Sequence, residues 1–205
     1  MSISPSKIVC VGRNYLEHAR ELGNEIPQRP LLFFKPPSAV IRDGESIVLP
    51  EESQRVEHEA EIAVVIGERA RRVPANRAMD HIVGYAPLND VTARDLQKID
   101  GQWARAKGFD TFCPLGAVMP ASGIDPAALE VICRVNGQIR QRGNSAEMAF
   151  PIPVLIEYIT SIMTLEPGDL IATGTPAGVG RLHEGDVVEV EVVGVGVLTN
   201  PVKKE

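Results

Sequence analysis

Apolar residues in this chain come in short runs, and the periods of those runs predict mainly strands. Ile62–Ile66 is apolar at every position, so the end of the segment Glu57–Glu68 predicts a strand covered on both faces. Lys7–Gly12, Leu31–Phe34, Ile47–Leu49 and Val83–Asp90 are further strand candidates, followed later by Leu170–Thr173, Val187–Val193 and Val197–Thr199. Pro- and Gly-rich turns separate them. Val131–Arg142 predicts a hairpin, because Asn136-Gly137 supplies the two positive-φ residues of a type I′ turn.

Helical spacing is rarer. Asn14–Leu22 predicts a short helix with Asn14 as cap, Glu17 at the capping-box position and Gly23 as stop. Its apolar side is Tyr15, Leu16, Ala19 and Leu22. Thr92–Lys98 predicts a second helix, capped by Thr92 with Asp95 three residues on. Pro153–Leu165 predicts the long one, with Leu155, Ile156, Ile159, Ile162 and Met163 near helical spacing. Many strands, few helices and no regular βαβ alternation predict an α+β, β-rich fold.

The chain has 205 residues without repeats or linker-like stretches, which predicts one domain over 1–205. Aromatics are 4%, so the core must be aliphatic. A net charge of −6 argues against nonspecific binding to nucleic acid or to an anionic membrane surface. No apolar run approaches the roughly 20 residues that span a bilayer. Residues Met1–Lys7 lack the basic and apolar regions of a secretory leader. Cys10, Cys113 and Cys133 form neither a disulfide framework nor a zinc signature, and are expected as structural thiols in a reducing cytoplasm.

The most informative feature is His58-Glu59-Ala60-Glu61. On a strand, Glu59 and Glu61 point the same way, about 7 Å apart at the backbone. Ala63 and Val65 continue that face, so two carboxylates stand where burial is expected. Two like charges in a low-dielectric site need compensation. A divalent cation would supply it, and so would arginines on a solvated edge. HExxH is absent, and oxygen ligands favour Mg²⁺, Mn²⁺ or Ca²⁺ over zinc. Asp90, at the end of a strand-like stretch, is the best third ligand.

The other constellations are weaker alone. Lys107 reads as a surface lysine. Gly174–Gly180 is a glycine loop without a phosphate-loop ending, in which backbone amides and the Thr175 hydroxyl could line an anion pocket. His18 and Glu21 share a helix face, and a carboxylate beside an imidazole raises its basicity. No G-x-S-x-G elbow is present.

Together the blocks Val9–Tyr15 with His18, Phe34-Lys35-Pro36, His58–Glu61, Asp90–Asp95 with Gln97, Lys107–Asp110, Val135-Asn136-Gly137 and Gly174-Thr175-Pro176 resemble the fumarylacetoacetate hydrolase superfamily. Within it the chain is similar to the short, single-module acylpyruvate hydrolases. The resemblance implies a mixed β-sheet roll with flanking helices, a homodimer, and Mg²⁺ or Mn²⁺ held by Glu59, Glu61 and Asp90. It implies a lid helix within residues 1–30 whose His18 and Glu21 activate water, an active-site Lys107, and substrate contacts from Gln97, Thr175 and Arg13. Arg94 is assigned to pairing nearby acids. Variation between activities is implied at Asn24–Arg29 and Gln102–Trp103.

The implied reaction is metal-dependent cleavage of a C–C bond in an acylpyruvate, giving pyruvate and a carboxylic acid. Oxaloacetate decarboxylation, or isomerisation or tautomerisation of a 2-oxo diacid, is the alternative. A non-catalytic module binding a metal and a dicarboxylate is a third reading, as are purely structural ion pairs for the three acids.

Overall fold

In the computed structural model, which describes residues 4–21, 23, 25 and 27–205, the apolar runs become strands of two main sheets. The first elements are β1 (Ile8–Gly12), α1 (Leu16–Glu21), β2 (Leu31–Lys35), β3 (Val40–Ile41), β4 (Ile47–Leu49), β5 (Val56–His58) and β6 (Ala60–Ile66). Next come β7 (Ile82–Asn89), β8 (Thr92–Ala93), α2 (Arg94–Asp100), α3 (Ala104–Gly108), β9 (Cys113–Pro114) and β10 (Met119–Pro120). The remainder gives β11 (Glu130–Val135), β12 (Gln138–Asn144), α4 (Ile152–Ile162), β13 (Leu170–Ala172), β14 (Gly180–Arg181), β15 (Val187–Val192) and β16 (Gly196–Lys204). The fold is α+β and strand-rich, as the patterning predicts.

A six-stranded sheet runs β10-β7-β6-β13-β1-β2, with β1 parallel to β13 and the other neighbours antiparallel. A five-stranded sheet runs β12-β11-β15-β16-β4. The smaller sheets are β14-β5-β8 and β3-β9. Ile62–Ile66 is buried throughout, and its alternation feeds two cores. Ile62, Val64 and Ile66 join the larger one with Val131, Val190 and Leu198 of the second sheet and Leu155, Ile156 and Ile159 of α4. Ala63 and Val65 join a smaller one with Cys10, Ala86, Leu88, Leu115 and Ala172. Each fully buried Val, Leu or Ile contributes about 1.5–3 kcal/mol, so this aliphatic packing is the main stabilising force. All three cysteines are buried and free. Among the described residues, no helix is long and apolar enough to cross a membrane.

The hairpin turn has the expected geometry, with φ of 53° at Asn136 and 74° at Gly137. Three expectations change. The strand expected over 57–68 is broken at Glu59, where the chain leaves one sheet and enters another. β5 pairs with β8 and β14, whereas β6 pairs with β7 and β13. The break is held by Glu59 N–H donating to Asn89 Oδ1 (2.9 Å) and by Asp90 N–H donating to the Glu59 carbonyl (2.8 Å).

Asn14 does not serve as the helix cap. Its amide oxygen accepts from Phe150 N–H (2.8 Å), and its nitrogen donates to the Phe150 and Thr173 carbonyls (3.2 and 2.8 Å). Leu22 of that expected helix lies outside the described residues. Nor does Thr92 cap a helix: it sits on β8, donates its hydroxyl to the Asp90 carbonyl (2.8 Å), and α2 starts two residues later. Asp95 instead accepts from Ser53 Oγ and Gln54 N–H (2.6 and 2.7 Å). Two-residue strands such as β3 and β8 are too short to have a readable period.

Candidate active site

The break at Glu59 builds the site. β6 and β7 are antiparallel with Glu61 opposite Leu88 and Ala60 opposite Asn89. Residues 61, 63 and 65 then share a face with 86, 88 and 90, the face of the smaller core. Glu59, Glu61 and Asp90 converge at its end, each offering an oxygen within 4.8 Å of the others. All three are buried.

Basic side chains from three other elements answer most of this charge. Lys107 of α3 donates from Nζ to Glu59 Oε2 (2.7 Å) and Asp90 Oδ2 (2.6 Å). Lys35, ending β2, donates to Asp90 Oδ1 (2.6 Å) and the Val91 carbonyl (3.0 Å). Arg94, opening α2, donates Nε to Glu57 (2.7 Å), Nη2 to Glu59 and Nη1 to Gln97 Oε1 (2.6 Å). Arg94 thus pairs nearby acids, as its sequence reading assigns.

The carboxylates do not fare alike. Burial alone would raise Glu59, but Lys107 and Arg94 outweigh it and hold Glu59 below the usual carboxylate range. Glu61 is driven well above that range by burial, then by the charges of Asp90 and Glu59. Its Oε2 accepts from Gly174 N–H (2.8 Å), and among the described residues no ion pair reaches it. Gly174 has φ +99°, and a Cβ there would lie 2.8 Å from Asn14 Cβ, so this close approach of backbone to carboxylate needs glycine. Lys107 is held above its ordinary value: burial opposes its charge, but Asp90 and Glu59 outweigh burial.

Among the described residues, Glu57 is thus paired by Arg55 and Arg94, Glu59 by Arg94 and Lys107, and Asp90 by Lys35 and Lys107, while no ion pair reaches Glu61. An all-oxygen, negatively charged, buried donor set fits a hard divalent ion such as Mg²⁺ or Mn²⁺. Glu61 is the group whose charge such an ion would neutralise.

The triad forms the floor of a cavity of about 470 Å³. All nine residues singled out in the sequence line it: Arg13, His18, Glu21, Glu59, Glu61, Asp90, Gln97, Lys107 and Thr175. His18 Nδ1 lies 3.4 Å from Glu21 Oε2, and both Glu21 oxygens accept from Gly178 N–H at 3.1 Å. Burial lowers the His18 pKa, an effect that Glu59 and Glu21 partly offset, so the imidazole is neutral near pH 7. Thr175 donates its hydroxyl to the Ala60 carbonyl (2.8 Å) and accepts from Gln141 Nε2 (2.7 Å). Arg13 holds a positive φ of 57° at the cavity wall.

Trp103 meets Phe33 edge to face (centroids 5.1 Å apart) on the apolar side, within one of the two stretches expected to vary. In the other, Asn24 and Ile26 lie outside the described residues. The sequence reading missed Lys35 as a partner of Asp90, since a lysine ending an apolar strand reads as an exposed edge.

Known proteins share this arrangement of sequence and fold. The family described as fumarylacetoacetate (FAA) hydrolase, C-terminal, matches residues 7–203. The chain is 54% identical over 203 residues to an uncharacterized protein of Methanocaldococcus jannaschii, covering 99% of this chain and 85% of that one. It is 47% identical to a mitochondrial oxaloacetate decarboxylase of Dictyostelium discoideum, over 92% of this chain and 89% of that one. It is 48% identical to the mitochondrial oxaloacetate tautomerase FAHD1 of Arabidopsis thaliana, over 93% and 87%.

Two solved structures are also similar. A 5-carboxymethyl-2-hydroxymuconate delta-isomerase of Mycobacterium smegmatis superposes with TM-score 0.92 at 48% identity, covering 99% of this chain and 80% of that one. A fumarylpyruvate hydrolase of Pseudomonas aeruginosa, in complex with Mn²⁺ and pyruvate, gives TM-score 0.94 at 32% identity, covering 100% and 92%.

Proposed function

The chain belongs to the fumarylacetoacetate hydrolase family, and from that premise we propose that it acts on a short 2-oxo dicarboxylic acid, interconverting keto and enol oxaloacetate and decarboxylating it. The observation that carries this reading is the buried triad Glu59, Glu61 and Asp90 with Lys107 wedged between two of its members. The named oxaloacetate enzymes among its relatives support it over the acylpyruvate hydrolysis that the sequence puts first.

Glu59, Glu61 and Asp90 would hold Mg²⁺ or Mn²⁺, which when bound supplies Lewis-acid polarisation of the 2-oxo group. The chain's own groups do the rest. Lys107 adds fixed positive charge beside the oxygen on which negative charge develops, where preorganised electrostatics act most strongly. Gln97, Arg13 and the Thr175 segment orient the diacid. His18, neutral and braced by Glu21, carries a proton between C3 and the 2-oxygen: it leaves C3 and is delivered to the oxygen to give the enol, and the reverse gives the ketone. For decarboxylation no proton need leave: the C3–C4 bond breaks, its electron pair passes into the C2–C3 bond, CO₂ departs, and C3 is then protonated to give pyruvate. Phe33 and Trp103 exclude water from one wall.

A second reading is acylpyruvate cleavage, in which His18 with Glu21 activates a water that attacks the 4-carbonyl. The His18–Glu21 pairing at the cavity favours it, as does the similarity to a fumarylpyruvate hydrolase. Purified protein with Mg²⁺ should be given oxaloacetate, acetylpyruvate and fumarylpyruvate. Faster decay of enol-oxaloacetate absorbance and formation of pyruvate from oxaloacetate are expected. Turnover of the acylpyruvates alone would reverse the order of the two readings. His18→Ala separates them further, since decarboxylation should survive and hydrolysis should not.

A further inference from the structure

Outside the cavity, one buried polar side chain touches three parts of the site's framework. Gln141 of β12 is 1% exposed and does not line the cavity. Its Oε1 accepts from Ala60 N–H (3.1 Å) and from His58 Nδ1 (2.9 Å). Its Nε2 donates to Thr175 Oγ1 (2.7 Å) and to the Pro176 carbonyl (2.8 Å). The amide orientation follows from chemistry: Ala60 N–H can only donate, and the Pro176 carbonyl can only accept. Both hydrogens and both lone pairs of the amide are then used. His58 must carry its proton on Nδ1, and the Thr175 hydroxyl hydrogen is committed to the Ala60 carbonyl.

Two local features place this amide. The β11–β12 register shifts at Cys133/Arg134, a bulge that leaves Arg140 exposed and turns Gln141 inward. The glycine loop also lies directly on β12. A Cβ on Gly178 would stand 2.1 Å from the Arg140 carbonyl oxygen, so loop and strand meet backbone to backbone with no room for a side chain between them.

We propose that Gln141 is a positioning residue, fixing the Glu59–Glu61 segment against the loop that carries Gly174 and Thr175. Ala60 lies between the two glutamates, and Gly174 N–H holds Glu61, so one amide sets where both carboxylates stand. The inference rests on the proposed metal-dependent reading of the cavity. Groups hydrogen-bonded to a ligating side chain typically alter metal affinity about 10–100-fold when removed, and Gln141 acts on two such side chains through the backbone between them.

The test is Gln141→Leu, similar in size but without polar atoms. Mn²⁺ binding is followed by electron paramagnetic resonance of the free ion, and backbone amide shifts by ¹H–¹⁵N spectra. Expected is a folded protein with Mn²⁺ affinity reduced about tenfold or more and shifts displaced at Ala60, Gly174 and Thr175. In a double-mutant cycle, Thr175→Val should add little to Gln141→Leu, because both cut one link. A folded Gln141→Leu protein with wild-type Mn²⁺ affinity and unmoved Ala60 and Thr175 shifts overturns the proposal. Should the variant not fold, the unaltered protein decides: the Gln141 side-chain NH₂ should exchange with solvent far more slowly than that of exposed Gln138, and equal rates overturn the proposal. If wild type takes up no Mn²⁺, the metal reading falls, and the shifts of the variant alone decide the role of Gln141.

Discussion

Glu61 differs from its neighbours in what answers its charge. Among the described residues, Glu59 has Lys107 and Arg94, Asp90 has Lys35 and Lys107, and Glu61 has a single backbone N–H. Replacing it with the neutral isostere should therefore separate two properties. Glu61→Gln without metal should be at least as stable as wild type in urea, since a buried like charge is removed. Its Mn²⁺ affinity, measured by calorimetry, should fall about 100-fold or more, exceeding the usual loss for a residue one step removed from the ion. Glu59, Glu61 and Asp90 were legible because acids flanking an unbroken apolar run are out of place in local pattern alone. Lys35 was not, because its meaning lies in Asp90, 55 residues away.

At the scale of elements, the cavity depends on how strands are stitched. Asp169, just before β13, accepts from Ser6 N–H and Oγ (2.9 and 2.7 Å), Lys7 N–H (3.1 Å) and Glu166 N–H (2.8 Å), and pairs with Lys7 Nζ. This ties the start of β1 to the start of its parallel neighbour. Burial opposes the charge of Asp169, but these donors together hold its pKa below the ordinary value. A folded pKa below the unfolded one contributes stability above the unfolded pKa, near 3.9, and loses it as pH falls through the folded value. Asp169→Asn should cost about 2 kcal/mol between pH 6 and 8. That gap should narrow below about pH 4, as first the unfolded and then, at lower pH, the folded carboxylate takes up a proton. Denaturation curves of both proteins across pH check the sign.

The apolar runs revealed β1, β2, β6, the β11–β12 hairpin and α4 because each has enough residues to display a pattern. The break at Glu59 could not be read that way. It is made by Asn89 and Asp90, which approach only after β6 and β7 have paired. The caps expected at Asn14 and Thr92 failed because other hydrogen bonds recruited both side chains, tertiary ones to residues 150 and 173 for Asn14 and a local one to the Asp90 carbonyl for Thr92.

For the whole molecule, a buried carboxylate on the cavity floor, Glu61, that no ion pair reaches among the described residues links ion binding to folding. A ligand that binds only the folded state at a free concentration of 100 Kd stabilises by about 2.7 kcal/mol. For a chain of this length that corresponds to a Tm rise of roughly 5–10 °C. Thermal unfolding with Mn²⁺ and with EDTA should differ by that amount, and Glu61→Gln should erase the difference. Equal Tm values in wild type would remove the argument for an ion at this floor.

The doubly covered run Ile62–Ile66 has a consequence for a chain that is not yet folded. Before its neighbours arrive it is a charge-free, β-favouring segment without proline, the composition that assembles into cross-β fibrils. Glu59 and Glu61 stand immediately upstream, and Glu68 and Arg69 shortly downstream, where flanking charges act as gatekeepers against such assembly. The acids that shape the cavity in the finished protein thus stand where, in the nascent chain, charge opposes such assembly.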